Sequence, residues 1–117
     1  MPDNQIDTLL QSLGIGHQYC GYRLTTEAMR LLCQDEDRLL CIKSGILQPL
    51  ADQFQCDWRC VERNLRTVIC RAWRRNAPLL TQIAAYPLLG IPTVTEFLDI
   101  LASYLMRQRT SDYYLWS

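Results

Sequence analysis

The chain holds one histidine, one lysine and no apolar run of eighteen residues, and each scarcity removes a class of function. With a single imidazole, no G-x-S-x-G, no P-loop and no glycine-rich phosphate loop, nothing assembles a catalytic set, and the sequence predicts no enzyme and no small-molecule substrate. The N-terminus, Met1 to Asp7, is acidic and polar rather than charged then apolar, so neither a secretory signal nor a membrane span is expected and the protein is predicted to be cytoplasmic. Cysteine is not scarce, but the C-x-x-C pairs of structural zinc sites are missing from the six positions 20, 33, 41, 56, 60 and 70. They are therefore read as free thiols, with no metal and no cofactor. Global charge is also lacking, because twelve Lys+Arg balance twelve Asp+Glu; any electrostatic partner must be recognised by where the charges lie.

What is present is the composition of one ordinary domain, 117 residues with 49% hydrophobic content. A chain of this length buries roughly two thirds of its unfolded surface, enough for a core without staples. Hydrophobic spacing is helical nearly throughout and predicts an all-α fold of about six helices over residues 1–110. The first is expected from Asn4 to Leu13, burying Ile6, Leu9, Leu10 and Leu13, with Gly14 as its stop. A glycine-containing loop follows, and Thr25 or Thr26 is placed to cap a second helix through Gln34. Asp35, Glu36 and Asp37 suit the positive end of a third, carrying Leu39, Leu40, Ile42 and Ile46, and need no bound cation to explain them. A short helix is predicted from Pro49 to Phe54, then a longer one capped by Asp57 and ending before Pro78, with Val61, Leu65, Val68 and Ala72 on its apolar face. Leu79 to Tyr86 and Pro92 to about Arg109 complete the set. Residues 111–117 are expected to fray, although Tyr113, Tyr114 and Trp116 offer aromatic rings for docking.

The charge that the totals conceal sits between Arg59 and Arg75, where six arginines face a single Glu62, a local +5. At about 100° per residue, Arg59, Glu62, Arg63, Arg66 and Arg74 share one arc opposite the apolar stripe. Solvated helix faces normally mix signs and use lysine as freely as arginine, whereas this chain has eleven Arg and one Lys. The planar guanidinium fork pairs with guanine O6 and N7 or with phosphate in a way lysine does not reproduce. A short helix, a tight turn and a longer arginine-faced helix is also the order of a helix-turn-helix, with Ala51 and Val61 ten residues apart at the expected crossing and Gln55 where a glycine is common.

The segment Val61-Glu62-Arg63, followed by Arg66 and Ala72-Trp73, resembles the recognition helix of the DNA-binding effector domain of the stage-zero sporulation response regulator family. Leu9-Leu10 with Leu13-Gly14-Ile15, Gly21-Tyr22, Glu27-Ala28, Ala51 with Phe54, and Pro92-Thr93 with Thr95-Glu96-Phe97 resemble the same domain in register, over about Ile6 to Arg107. The resemblance implies an all-helical domain that binds short boxes in double-stranded DNA upstream of promoters, two domains in tandem. The family's base-contacting residues fall on Glu62, Arg63 and Arg66, and its supporting helix on Gln48 to Phe54, with the family's proline displaced to Pro49. Arg59, Arg71, Arg74 and Arg75, toward the ends and flanks of the helix 57–75, are expected at phosphates. The family's receiver domain is not within these residues, so an excised domain or a free-standing homologue is expected.

The rival reading is a degenerate homologue that keeps the fold and acts as a protein-interaction module, which overall neutrality favours and the outward Glu62, Arg63 and Arg66 oppose. A thiol-based function rests on the cysteine count alone. Cys60 and Cys70 lie on different sides of the long helix, and His17 beside Cys20 is a loop coincidence rather than an activated pair.

Overall fold

The computed structural model describes the backbone of residues 3–84 and 86–115 and the side chains of residues 5–84 and 86–107. Every regular element among them is helical: α1 (Asp3–Ser12), α2 (Cys20–Gln34), a 3-10 turn (Glu36–Leu40), a π turn (Lys43–Leu47), α3 (Gln48–Gln53), α4 (Trp58–Ile83) and α5 (Val94–Leu115). One apolar cluster joins them, with Leu10 of α1, Leu13 just past its end, Met29 of α2, Leu50 of α3, Leu65 of α4 and Phe97 and Leu98 of α5 all fully buried. The all-α fold expected from the periodicity is the observed one.

Helix α1 buries Ile6, Leu9 and Leu10 and hands the chain on through Gly14, whose φ of +85° lies in the left-handed region. The Ile15 N–H donates to the Leu10 carbonyl at 2.8 Å, the long bond of a Schellman stop, and Leu10 and Ile15 are both buried beneath it.

Helix α2 begins at Cys20, earlier than the threonine cap expected from the sequence. Thr25 and Thr26 instead donate their hydroxyls back to the carbonyls of Gly21 (2.7 Å) and Tyr22 (2.9 Å), an arrangement of helix interiors. Gly21, which read as a loop residue, is helical because α2 crosses α4 there: a Cβ at this position would lie 2.1 Å from Val68 Cγ2.

The third helix of the sequence reading is two pieces. The chain breaks at Cys41 (φ −141°, ψ 95°), leaving Leu40 86% exposed rather than in a helical core stripe. Helical structure then resumes as the π turn that runs directly into α3. Pro49 explains the widened turn, since it has no N–H to offer the Gly45 carbonyl four residues back and its ring presses on that carbonyl. Arg38 Nη1 donates to the Gly45 oxygen at 2.8 Å.

Helix α4 absorbs the segment expected as a separate helix from Leu79. Its break is a kink at Asn76 (φ −154°, ψ 57°), after which the helix restarts with Pro78 in its first turn. Asn76 Oδ1 accepts from the Leu79 N–H at 3.2 Å as an internal N-cap, and its Nδ2 donates to the Ser12 carbonyl at 3.0 Å. The restart ends at Ile83, short of the expected Tyr86. Helix α5 opens with a reciprocal capping box, Glu96 N–H to Thr93 Oγ1 at 3.2 Å and Thr93 N–H to Glu96 Oε1 at 3.1 Å, and continues past Arg109 to Leu115. The side chains of Tyr113, Tyr114 and Trp116 lie outside the described residues.

Candidate nucleic-acid interface

The π turn and α3 form the first helix of a helix-turn-helix, and the N-terminal part of α4 forms the second. Phe54 closes α3, Gln55 takes φ +55°, and the Cys56 N–H donates to the Ala51 carbonyl at 2.9 Å, so the turn is a Schellman stop built on glutamine. Asp57 Oδ1 then accepts from the Arg59 N–H at 2.8 Å, the N-cap expected from the sequence. Ala51 and Val61 are both fully buried, as a helix pair crossing at these positions requires.

Val61, Leu65, Val68 and Ala72 pack inward, which turns the opposite arc of α4 to solvent. Arg59, Arg63, Arg66, Arg74 and Arg75 are exposed, and Glu62 is half-buried beside them. Arg66 Nη2 lies 3.4 Å from Glu62 Oε1, one turn apart and open to water. Such a pair contributes only about 0.3–0.5 kcal/mol, so separating it costs little. Arg63 and Arg74 make no ion pair among the described residues.

Arg71 differs from the other five. It is half-buried, its Nε donates to the Gly14 carbonyl at 2.7 Å, and its guanidinium lies 4.4 Å from the centre of the Tyr19 ring. Arg75 lays its stem over Gly14, whose missing Cβ would stand 2.7 Å from Arg75 Cγ. Beyond these contacts an open groove of about 520 Å³ runs beside α4, walled by Tyr19, Arg63, Arg66, Arg71, Arg74 and Arg75.

At the N-terminal end, Trp58 is flanked by Lys43 Nζ at 4.5 Å and the Arg59 guanidinium at 5.4 Å, and the Arg23 guanidinium sits 5.4 Å from the Phe54 ring. Sequence reading missed Lys43, Arg23, Trp58 and Tyr19. The single lysine carries no pattern of its own and gains meaning only because the π turn brings it against Trp58.

All six cysteines are free thiols. Desolvation, with Cys60 and Asp57 nearby, pushes the Cys56 thiol up, whereas hydrogen bonds from the Ser44 hydroxyl and backbone pull Cys41 down.

A helix-turn-helix in an all-helical core, its second helix faced with arginine, is the architecture of a DNA-binding effector domain. The chain belongs to the family described as sporulation initiation factor Spo0A C terminal, whose model matches residues 6–105. This is a family of sporulation-regulator DNA-binding domains and not of enzymes. No curated protein matches the chain. No helix among the described residues is long and apolar enough to cross a membrane.

Proposed function

We propose that the protein is a sequence-specific regulator of transcription that inserts the N-terminal part of α4 into the major groove of double-stranded DNA, with two copies on tandem boxes. Arg63 and Arg66, less than one turn apart, reach guanine edges; Glu62 accepts from a cytosine amino group; Arg59, Arg71, Arg74 and Arg75 meet phosphates. The observation that carries this reading is the outward arc of Glu62, Arg63 and Arg66 directly opposite buried Val61, Leu65 and Val68, since core packing asks for none of those three polar residues. The α4 kink supports it too, because the helix restarts at Asn76, beyond the arginine-faced stretch.

The test is selection of sites from a randomised DNA pool, followed by affinities on the selected and a scrambled duplex at several salt concentrations. Arg63→Ala and Arg66→Ala are each expected to lose about 1–3 kcal/mol on the selected site and to relax one base position, while Arg74→Ala weakens both duplexes equally and lowers the salt slope by about one. Equal small losses for all three variants would sink the base-reading roles. Absence of binding by the parent at low salt would overturn the proposal and leave the interaction module.

A further inference from the structure

We infer that the groove between α4 and the α1–α2 connection is a phosphate-binding site for the DNA backbone, in which Gly14 and Tyr19 are positioning residues for Arg71. This rests on the DNA-binding reading and extends the interface to a segment outside the helix-turn-helix. Five arginine side chains line the groove, those of Arg63, Arg66, Arg71, Arg74 and Arg75, and no carboxylate does. Glu62 reaches this side only through its pair with Arg66, so an anion beside Arg71, Arg74 and Arg75 meets positive charge.

Arg71 is the fixed member. The Gly14 carbonyl holds its Nε, its guanidinium lies over the Tyr19 ring, and its two terminal amino groups make no hydrogen bond among the described residues. A guanidinium immobilised before binding loses less rotamer freedom when a phosphate arrives, and its free edge is the fork that pairs bidentately with two phosphate oxygens. Gly14 can serve because the left-handed stop of α1 turns its carbonyl toward α4, and the same residue carries the Arg75 stem on its open side. The end of α1 thus orders two of the five arginines.

The experiment uses the full chain. Arg71→Gln keeps an amide donor for the Gly14 carbonyl and removes the charge; Tyr19→Ala removes the ring and Tyr19→Phe restores it. Arg71→Gln is expected to weaken the selected and scrambled duplexes alike, roughly five- to tenfold near 0.1 M salt, and to lower the salt slope by about one. Tyr19→Ala is expected to lose about two- to fivefold, with Tyr19→Phe equal to the parent. Unchanged slope and affinity in Arg71→Gln, with circular dichroism intact, would overturn the assignment, as would a Tyr19→Phe variant no better than Tyr19→Ala. In parallel, the Arg71 Nε–H resonance is followed as inorganic phosphate is titrated into the parent, then as duplex DNA is added. Saturable movement with phosphate, reversed or replaced by DNA, supports the backbone site. Movement with phosphate in a protein that binds no DNA keeps the groove as a phosphate site and overturns the DNA reading. A resonance that neither probe moves overturns the groove.

Discussion

Single residues decide how this interface is held. Gln55 occupies a left-handed position, where a side chain costs roughly 1–2 kcal/mol and glycine very little, while glycine surrenders more freedom from the unfolded chain. The first effect is larger, so Gln55→Gly is expected to stabilise the fold by about 0.5–1 kcal/mol and raise the melting temperature by a few degrees; a lowered melting temperature would mean that the glutamine side chain has a contact of its own. The thiols offer a second contrast. Reaction with an alkylating agent follows the thiolate, which the Ser44 hydrogen bonds favour at Cys41 and local desolvation with Cys60 disfavours at Cys56. At a pH below the ordinary thiol range, Cys41 therefore carries the larger ionised fraction. Peptide mapping after brief iodoacetamide treatment is expected to find Cys41 labelled well before Cys56, although both are exposed.

Among the elements, α4 shows how a proline is accommodated without losing a helix. Pro78 has no N–H for the Arg74 carbonyl, so the ladder opens; Asn76 caps the restart and ties it to the end of α1. Asn76→Ala removes both bonds and is expected to cost about 1–2 kcal/mol, read as a lower urea midpoint at unchanged slope. Asn76→Asp keeps the cap oxygen and loses only the donor to Ser12, so it should recover part of that loss. A smaller loss from Asn76→Ala than from Asn76→Asp would contradict the capping role. The elements also show what a sequence exposes to reading. Local devices were legible: the Gly14 stop, the Asp57 cap and the two-faced pattern of α4 all act within a few residues of themselves. What needed the tertiary fold was not. Gly21 is helical because Val68 lies against it, the chain breaks at Cys41 although Leu39, Leu40 and Ile42 suggest one stripe, and Arg71 is committed to a carbonyl 57 residues away. In the candidate site, the outward Arg63 and Arg66 followed from helical period alone, whereas Lys43 and Tyr19 join it through contacts that no spacing encodes.

At the scale of the whole molecule, a net charge of zero combined with +5 between Arg59 and Arg75 leaves −5 on the rest of the chain. The protein is electrically two-sided, which draws the arginine face toward a polyanion and turns the remainder away. The described acids reinforce this: Glu36, Asp37 and Asp99 border a cleft between α2 and α5, and none lines the arginine groove. The core needs no covalent help, since all six thiols are unpaired. Reductant and chelator should each leave the melting temperature unchanged, and a fall of several degrees would reveal a structural site. The same self-sufficiency bears on assembly. A radius of gyration of 13.8 Å is near the ~13 Å of a compact hundred-residue domain, and the expected pairing on tandem boxes then draws on DNA as the scaffold rather than on a subunit interface completing the core. Sedimentation at micromolar concentration is expected to find a monomer without DNA. On duplexes bearing two boxes, two copies are expected to bind with an affinity that varies with spacing and recovers when the second box is moved by about 10 base pairs, one turn of the double helix. A duplex with a single box should carry one copy. A tight dimer at nanomolar concentration in the absence of DNA, or occupancy of both boxes indifferent to their spacing, would contradict this picture, the first by showing an interface that forms unaided and the second by showing that the bound copies do not meet.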